Sequence, residues 1–309
     1  MNNKQGNKQS NNTSINNKSI NNKSSNNKFK KLECAPGSGI NSYSCYNSDA
    51  LLKLRDNWNS RHPDAKITSN EPKIIWESLK KYMEDVCDNE YCWLRQKFME
   101  NKVGNDLLSY TFAPKSPRSW LKNKNEWLSS VDIEKVMKQY ERAYKNFNFI
   151  GPSPIDFDTH MLDDECVWEE LCDFDLKQQL AKGKKKIGII FNTDPHYKGG
   201  SHWISLFINI QQGNNYIFFF DSNGNKIPKE IKVLCDRILK QGNALNIKNF
   251  SLYENDRSHQ RTNTECGMYS LYLIIELLTE NHKIDHFMNN WIKDKTVEKL
   301  RDKYFNKEM

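Results

Sequence analysis

The chain of 309 residues has no uncharged apolar run approaching the length that spans a bilayer, and no apolar core of a secretory signal follows its first residues. Both absences argue for a soluble protein that is not secreted. The formal net charge of +7 is not spread over the whole chain. Residues 1–31 carry seven of the 46 lysines and arginines and no acid, so the other 39 basic residues are matched by 39 acidic ones. A body with that balance demands no broad basic face, and nucleic acid as a partner stays possible but unsupported. No membrane partner is expected. The eight cysteines are an even number, but a chain this large does not need staples, and they are expected to be mostly reduced. Cys87 and Cys92 have no second close pair to complete a zinc tetrahedron, so no metal is assigned.

Residues 14–28 repeat every five as SINNK, SINNK, SSNNK. An Asn/Lys-rich tail over 1–31 cannot bury enough apolar surface to offset its ordering entropy and is expected to be disordered. Residues 32–115 read as a small helical domain. Leu51, Leu52, Leu54 and Trp58 suggest one helix, and Ile74, Ile75, Leu79, Tyr82, Met83 and Val86 recur at helical spacing after Pro72. Residues 116–309 form the main domain. Ser129 or Ser130 can cap a helix that buries Ile133, Val136, Met137 and Tyr140. Gly151-Pro152-Ser153-Pro154 interrupts, and a further helix is expected around Val167–Leu180.

Strands cluster late. Lys186–Asn192, His202–Ile210 and Tyr216–Phe220 read as strands, with Gln211–Asn215 as a hairpin turn, and Phe250–Tyr253 is a fourth candidate. Pro228–Leu239 is an amphipathic helix, and Ile284–Phe305 is helical material. The fold class is α+β.

The chemistry concentrates in His259–Ser270. A polar, turn-forming stretch ends at Cys266, which opens the apolar run Leu271–Leu278. A helix apolar on nearly every side is buried, so Cys266 should stand at the mouth of a central helix, beside unpaired N–H groups and the positive end of the dipole. That setting favours a nucleophilic thiolate. Taken alone, a cysteine there is more often a small core residue. His202 starts one hairpin strand and Asp221 follows the next, so folding the hairpin brings imidazole and carboxylate together. If the helix packs on this hairpin, a Cys-His-Asp set results: carboxylate on one ring nitrogen, thiol on the other. Gln260, six residues before Cys266, can offer an amide donor to an oxyanion, with the Cys266 backbone N–H as the second.

This order of residues, His202-Trp203, Asp221, then Gln260 and Cys266-Gly267, resembles the Ulp1/adenain group of cysteine proteases. The segment Glu126-Trp127-Leu128 resembles the Asp-Trp-Leu of SUMO-specific members. Phe191-Asn192-Thr193-Asp194, Gly200-Ser201-His202-Trp203, Phe220-Asp221-Ser222 and His259-Gln260-Arg261 look like the polyprotein-processing proteases of African swine fever virus and giant DNA viruses. Where the swine-fever branch has asparagine, this sequence has Asp221.

The resemblance implies a papain-like, adenain-like core in which a mostly antiparallel sheet packs on the buried helix. It implies Cys266 as nucleophile, His202 as base and acid, Asp221 as orienter and Gln260 as oxyanion donor. Trp127 and Trp203 would flank a substrate Gly-Gly, which fits a tunnel only glycine can thread. No cofactor is implied. The substrate would be a protein, either a viral structural polyprotein or, alternatively, a SUMO- or ubiquitin-like conjugate with a Gly-Gly tail. The setting would be the virion and the host cytoplasm. Neither the oligomeric state nor a peptide or DNA activator is legible.

Overall fold

A computed structural model describes residues 29–307, apart from 39–41, 101, 162 and 163. The expected disorder of 1–31 therefore falls almost wholly outside the described residues. Phe29, at its edge, packs against Trp76 and Trp93 with ring centroids 5.8 Å away in each case.

Helices α1 (Ser48–Arg61), α2 (Pro72–Tyr82), α3 (Glu90–Leu94) and α4 (Lys102–Tyr110) come first. They surround a cluster of their own, built on Tyr46, Leu54, Leu79, Trp93 and Phe112. In α2, Ile75 and Leu79 are buried, and Met83 just beyond it is too, but Ile74, Tyr82 and Val86 are exposed. The helix ends at Tyr82, so the apolar stripe is narrower than its spacing implied.

Helix α5 (Ser130–Ala143) starts at Ser129 with a capping box: the Ser129 hydroxyl accepts from the Asp132 N–H, and the Asp132 carboxylate accepts from the Ser129 N–H. It leads into β1 (Phe147–Pro154), a strand running through Gly151-Pro152, the residues expected to break the pattern. Proline is tolerated because β1 is an edge strand and its register shifts between Ile150 and Ser153. The helix expected over Val167–Leu180 is two short ones, α6 (Glu169–Cys172) and α7 (Leu176–Ala181). Asp175 divides them by capping α7 through its side chain.

Strands β2 (Lys186–Asn192), β3 (Trp203–Gln211), β4 (Asn214–Phe220) and β5 (Ser251–Glu254) complete a sheet ordered β1-β2-β3-β4-β5. The central pairs β2/β3 and β3/β4 are antiparallel and the edge pairs β1/β2 and β4/β5 parallel, so the sheet is mixed. Alternation along each strand sorts the core. Phe207, Phe218 and Phe220 face one side with α5, the long helix α9 (Cys266–Leu278) and α11 (Asp294–Tyr304). Leu206, Ile208 and Phe219 face the other with α8 (Lys229–Ala244). α10 (Ile284–Asn289) adds Phe287 to the α9 side.

Every residue of α9 is buried, as a helix apolar all round requires. Gly188 on β2 lets it approach: a Cβ there would lie 2.8 Å from Ile274 Cγ2. Among the described residues no helix is long and apolar enough to cross a membrane.

The expectation of mostly reduced cysteines is corrected. Cys34–Cys45, Cys87–Cys92 and Cys166–Cys172 are disulfides, leaving Cys235 and Cys266 free. Chain size argued against a need for staples, but each pair is close in sequence. Local turns hold their Cα atoms 5.2, 5.5 and 6.3 Å apart, within bridging range.

Candidate active site

The β3–β4 hairpin pairs Ser205 with Phe220, which carries His202 and Asp221 past the same end of the two strands. Hairpin geometry therefore does what the spacing predicts. His202 Nε2 donates to Asp221 Oδ1 at 2.6 Å, and Cys266 is near enough to the imidazole to raise its pKa. Since Asp221 takes Nε2, the other ring nitrogen, Nδ1, is left for the sulfur. Burial pulls the His202 pKa down, but the hydrogen bonds and charges of Asp221 and Cys266 outweigh it and carry it up to about 9. At neutral pH the ring is therefore an imidazolium.

Asp221 is held harder than its neighbours in sequence suggest. Its Oδ1 accepts from the Asn223 N–H at 2.8 Å and its Oδ2 from Asn225 Nδ2 at 2.9 Å. The buried Asn255, just past β5, reads its backbone on both sides: Asp221 N–H donates to Asn255 Oδ1, and Asn255 Nδ2 donates to the Asp221 carbonyl, each at 2.9 Å. Sequence reasoning missed Asn223, Asn225 and Asn255, because asparagines after a strand look like ordinary turn residues.

Cys266 opens α9. The N-cap residue Glu265 makes no side-chain cap. Its buried carboxylate instead takes two hydrogen bonds from Arg301 on α11, Nε to Oε2 at 3.0 Å and Nη2 to Oε1 at 2.9 Å. The same guanidinium donates to the Glu126 carbonyl at 2.9 Å, beside Trp127. One buried arginine thus ties the start of the cysteine helix to the segment that carries a cleft tryptophan. The loop before Cys266 is pinned as well: Asp294 accepts from the N–H groups of Arg261 and Thr262 and from the Tyr269 hydroxyl.

Gln260 is buried in this loop. Its Oε1 accepts from the Ser222 hydroxyl at 2.8 Å, and its Nε2 donates to the Thr262 carbonyl at 2.5 Å. The second proton of that amide is not used by either bond, so it can serve an incoming oxyanion. Ser222 follows Asp221 directly, so one turn positions both the acid and the glutamine.

Trp203 is buried, and its indole N–H donates to the Leu128 carbonyl at 2.9 Å. A Cβ on Gly267 would lie 3.1 Å from Leu128 Cβ and 3.3 Å from Trp203 Cδ1, so Gly267 is what allows this close packing. Trp127 is 39% exposed. Both tryptophans line one cleft of about 550 Å³, together with Trp168, Asn192, Asp194 and His196. Trp168 was not anticipated, since the helix expected there carried no sign of a cleft wall.

The structure therefore brings together His202, Asp221 and Cys266, sets Gln260 on the adjoining turn, and puts Trp127 and Trp203 on a common cleft. A buried thiol beside an oriented imidazolium can attack a carbonyl carbon and return a proton to the leaving group.

Comparison with known proteins agrees with this chemistry. A family model described as the Ulp1 protease family, C-terminal catalytic domain, matches residues 135–309. A protein of Acanthamoeba polyphaga mimivirus, provisionally named a thiol protease, is 29% identical over 273 residues, covering 85% of this chain and 84% of its own. A cysteine protease of African swine fever virus (isolate Tick/Malawi/Lil 20-1/1983) is 26% identical over 261 residues, covering 78% of this chain and 91% of its own. The corresponding protein of another isolate carries the name SUMO-1 cysteine protease. The crystal structure of the African swine fever virus protease superposes with a TM-score of 0.60 at 22% identity, covering 89% of this chain and 96% of that one. The fold is thus that of this viral protease, helical N-terminal region included.

Proposed function

The chain belongs to the Ulp1 protease family of cysteine peptidases, and on that premise we propose that it cleaves viral structural polyproteins after Gly-Gly-type sites during virion maturation. Cys266 is the nucleophile and His202 the proton carrier. Asp221 holds the ring, and the amide of Gln260 with the Cys266 N–H receives the oxyanion. The thiolate adds to the carbonyl carbon of the glycine before the scissile bond. As the tetrahedral species collapses, the imidazolium protonates the departing amine and a thioester remains. Water then attacks the thioester with His202 as base, releasing the new carboxylate and restoring the thiolate.

The observation that carries the glycine preference is the pair Trp127 and Trp203 lining one cleft beside the hairpin that bears His202. A backbone without side chains passes between aromatic rings where larger residues would collide. A viral substrate is favoured by coverage: the similarity to viral proteases extends well beyond residues 135–309 into the N-terminal region. A parallel assay tests the reading, with a Gly-Gly-X peptide from a viral precursor in one arm and a SUMO conjugate in the other. Faster cleavage of the peptide supports it; cleavage of the conjugate alone replaces it with deconjugation, the activity that the name of one swine-fever relative suggests.

Trp127→Ala leaves the fold intact, because the ring is partly exposed and has no hydrogen bond to lose among those described. It raises KM for the glycine peptide by roughly tenfold, the loss of about 1–1.5 kcal/mol of aromatic contact. An unchanged kcat/KM would remove Trp127 from the substrate path.

The rate also depends on His202 keeping its proton. With a pKa of about 9, the ring is protonated through neutral pH and loses its proton above that value. The kcat/KM profile therefore falls on the alkaline side with a midpoint near 9. In Asp221→Ala, where a raising influence is gone, the midpoint moves to lower pH. A limb that does not move would detach Asp221 from His202.

A further inference from the structure

The excursion between β1 and α7 holds a histidine whose orientation a disulfide does not explain. His160 and Cys166 face each other across an antiparallel bridge, closed by the Met161 N–H donating to the Glu165 carbonyl at 2.8 Å. Cys172 ends α6, which follows two residues of cleft wall, Val167 and Trp168. His160 Nε2 lies 3.6 Å from Cys166 Sγ and 3.9 Å from Cys172 Sγ. On the other side of the ring, Nδ1 is 3.0 Å from the Asp164 carboxylate and 3.2 Å from its carbonyl.

Two oxygen acceptors at Nδ1 put the proton there, so in the neutral ring Nε2 presents its lone pair to both sulfurs. A lone pair aimed at a disulfide gains little, since the bonded sulfurs carry no proton to donate. The same lone pair aimed between two thiolates is one corner of a metal site. The carboxylate behind it is the support that metal-bound histidines regularly have. Among the described residues this is the sole group of three or more His, Cys, Asp or Glu ligand atoms lying within 4.8 Å of one another.

We propose that reduced Cys166 and Cys172, with His160, form a zinc site that braces one wall of the substrate cleft. The ligand set is soft, with two thiolates and an imidazole, which selects zinc over calcium or magnesium. Two thiolates neutralise the ion, and water completes the tetrahedron. The Cα atoms of the two cysteines are 6.3 Å apart. Side-chain rotation alone can open the sulfurs to the roughly 3.8 Å that tetrahedral bonds of about 2.3 Å require.

Disulfide and metal are alternative states of the same sulfurs. A phosphine reductant and water convert the disulfide to two thiols: two electrons enter the S–S bond, two protons reach the sulfurs, and the phosphine leaves as its oxide. Zinc then displaces two protons and binds both thiolates. The site is separate from the peptidase chemistry, so its test does not depend on the substrate reading.

The experiment uses the full chain carrying Cys266→Ser, which removes the other thiol that has a histidine at hand. The protein is reduced with a phosphine under anaerobic conditions and titrated with Co²⁺, then with Zn²⁺. About one equivalent of Co²⁺ should bind with thiolate-to-metal charge-transfer absorption, and Zn²⁺ should displace it. X-ray absorption of the zinc form should show two sulfurs and one imidazole. Adding Cys166→Ser and Cys172→Ser should abolish the absorption, and His160→Ala should weaken affinity by about tenfold or more. Unreduced protein should take up no metal, a control that needs no further variant to fold. Absence of the absorption in the reduced protein, its persistence without Cys166 and Cys172, or a ligand count without imidazole would overturn the site.

Discussion

Cys266→Ala lowers turnover of a Gly-Gly-containing peptide by about 10⁴-fold or more, while the protein stays folded. The size of the effect follows from what remains. Asp221 and His202 can orient and move a proton, but without the sulfur no covalent intermediate forms, and water must attack the peptide directly. Stability changes little, because alanine keeps the helix start and deletes one buried atom. The variant also isolates an electrostatic effect. Cys266 is one of the influences that raise the His202 pKa, so removing it should lower that pKa, read from the imidazole proton shifts by NMR. Residual turnover near the parent rate would exclude Cys266 as nucleophile.

Arg301→Met destabilises the protein by about 3–5 kcal/mol, the cost of leaving a buried carboxylate without its partner. Glu265 and Arg301 are both almost fully buried, and burial already raises the Glu265 pKa despite the guanidinium. With Arg301 gone, Glu265 must take up a proton or draw in water, and either disturbs the residue that precedes the nucleophile. The Glu126 carbonyl loses its donor in the same step, so Trp127 loosens too. Activity should therefore fall together with the urea midpoint. The double variant Arg301→Met with Glu265→Leu removes the orphaned charge and should recover much of the stability, separating the cost of the charge from the loss of packing. A urea midpoint unaltered by Arg301→Met would mean that the pair carries no structural weight.

How far the site was legible depends on the range of the interactions involved. Helix α9 could be read from an unbroken apolar run, and the hairpin from two strands about a polar turn, since both signals are local. The meeting of His202 with Asp221 follows from hairpin register alone. The contact of that pair with Cys266 rests on α9 packing against β3, a long-range event that only Gly188 and the surrounding core make close. β1 was missed for the same reason. Its Gly-Pro looks like a break until a parallel partner more than thirty residues away supplies the hydrogen bonds. The expected helix over Val167–Leu180 divides because Asp175 caps a new start, a local choice that periodicity does not weigh.

From composition and order alone came a neutral body, an apolar helix opened by a cysteine, and the succession His, Asp, Gln, Cys with a tryptophan beside the histidine. Those properties are carried by residue type and spacing, so they survive without coordinates. The fold decided which side chains hold the others still: Asn255 on Asp221, Ser222 on Gln260, Arg301 on Glu265, and three cysteine pairs brought into bonding range. Except for the cysteine pairs, these contacts join residues 36 to 38 positions apart, or 34 for Asn255 and Asp221. Their energy comes from burial and shape rather than from any local pattern, which is why no reading of neighbouring residues could supply them.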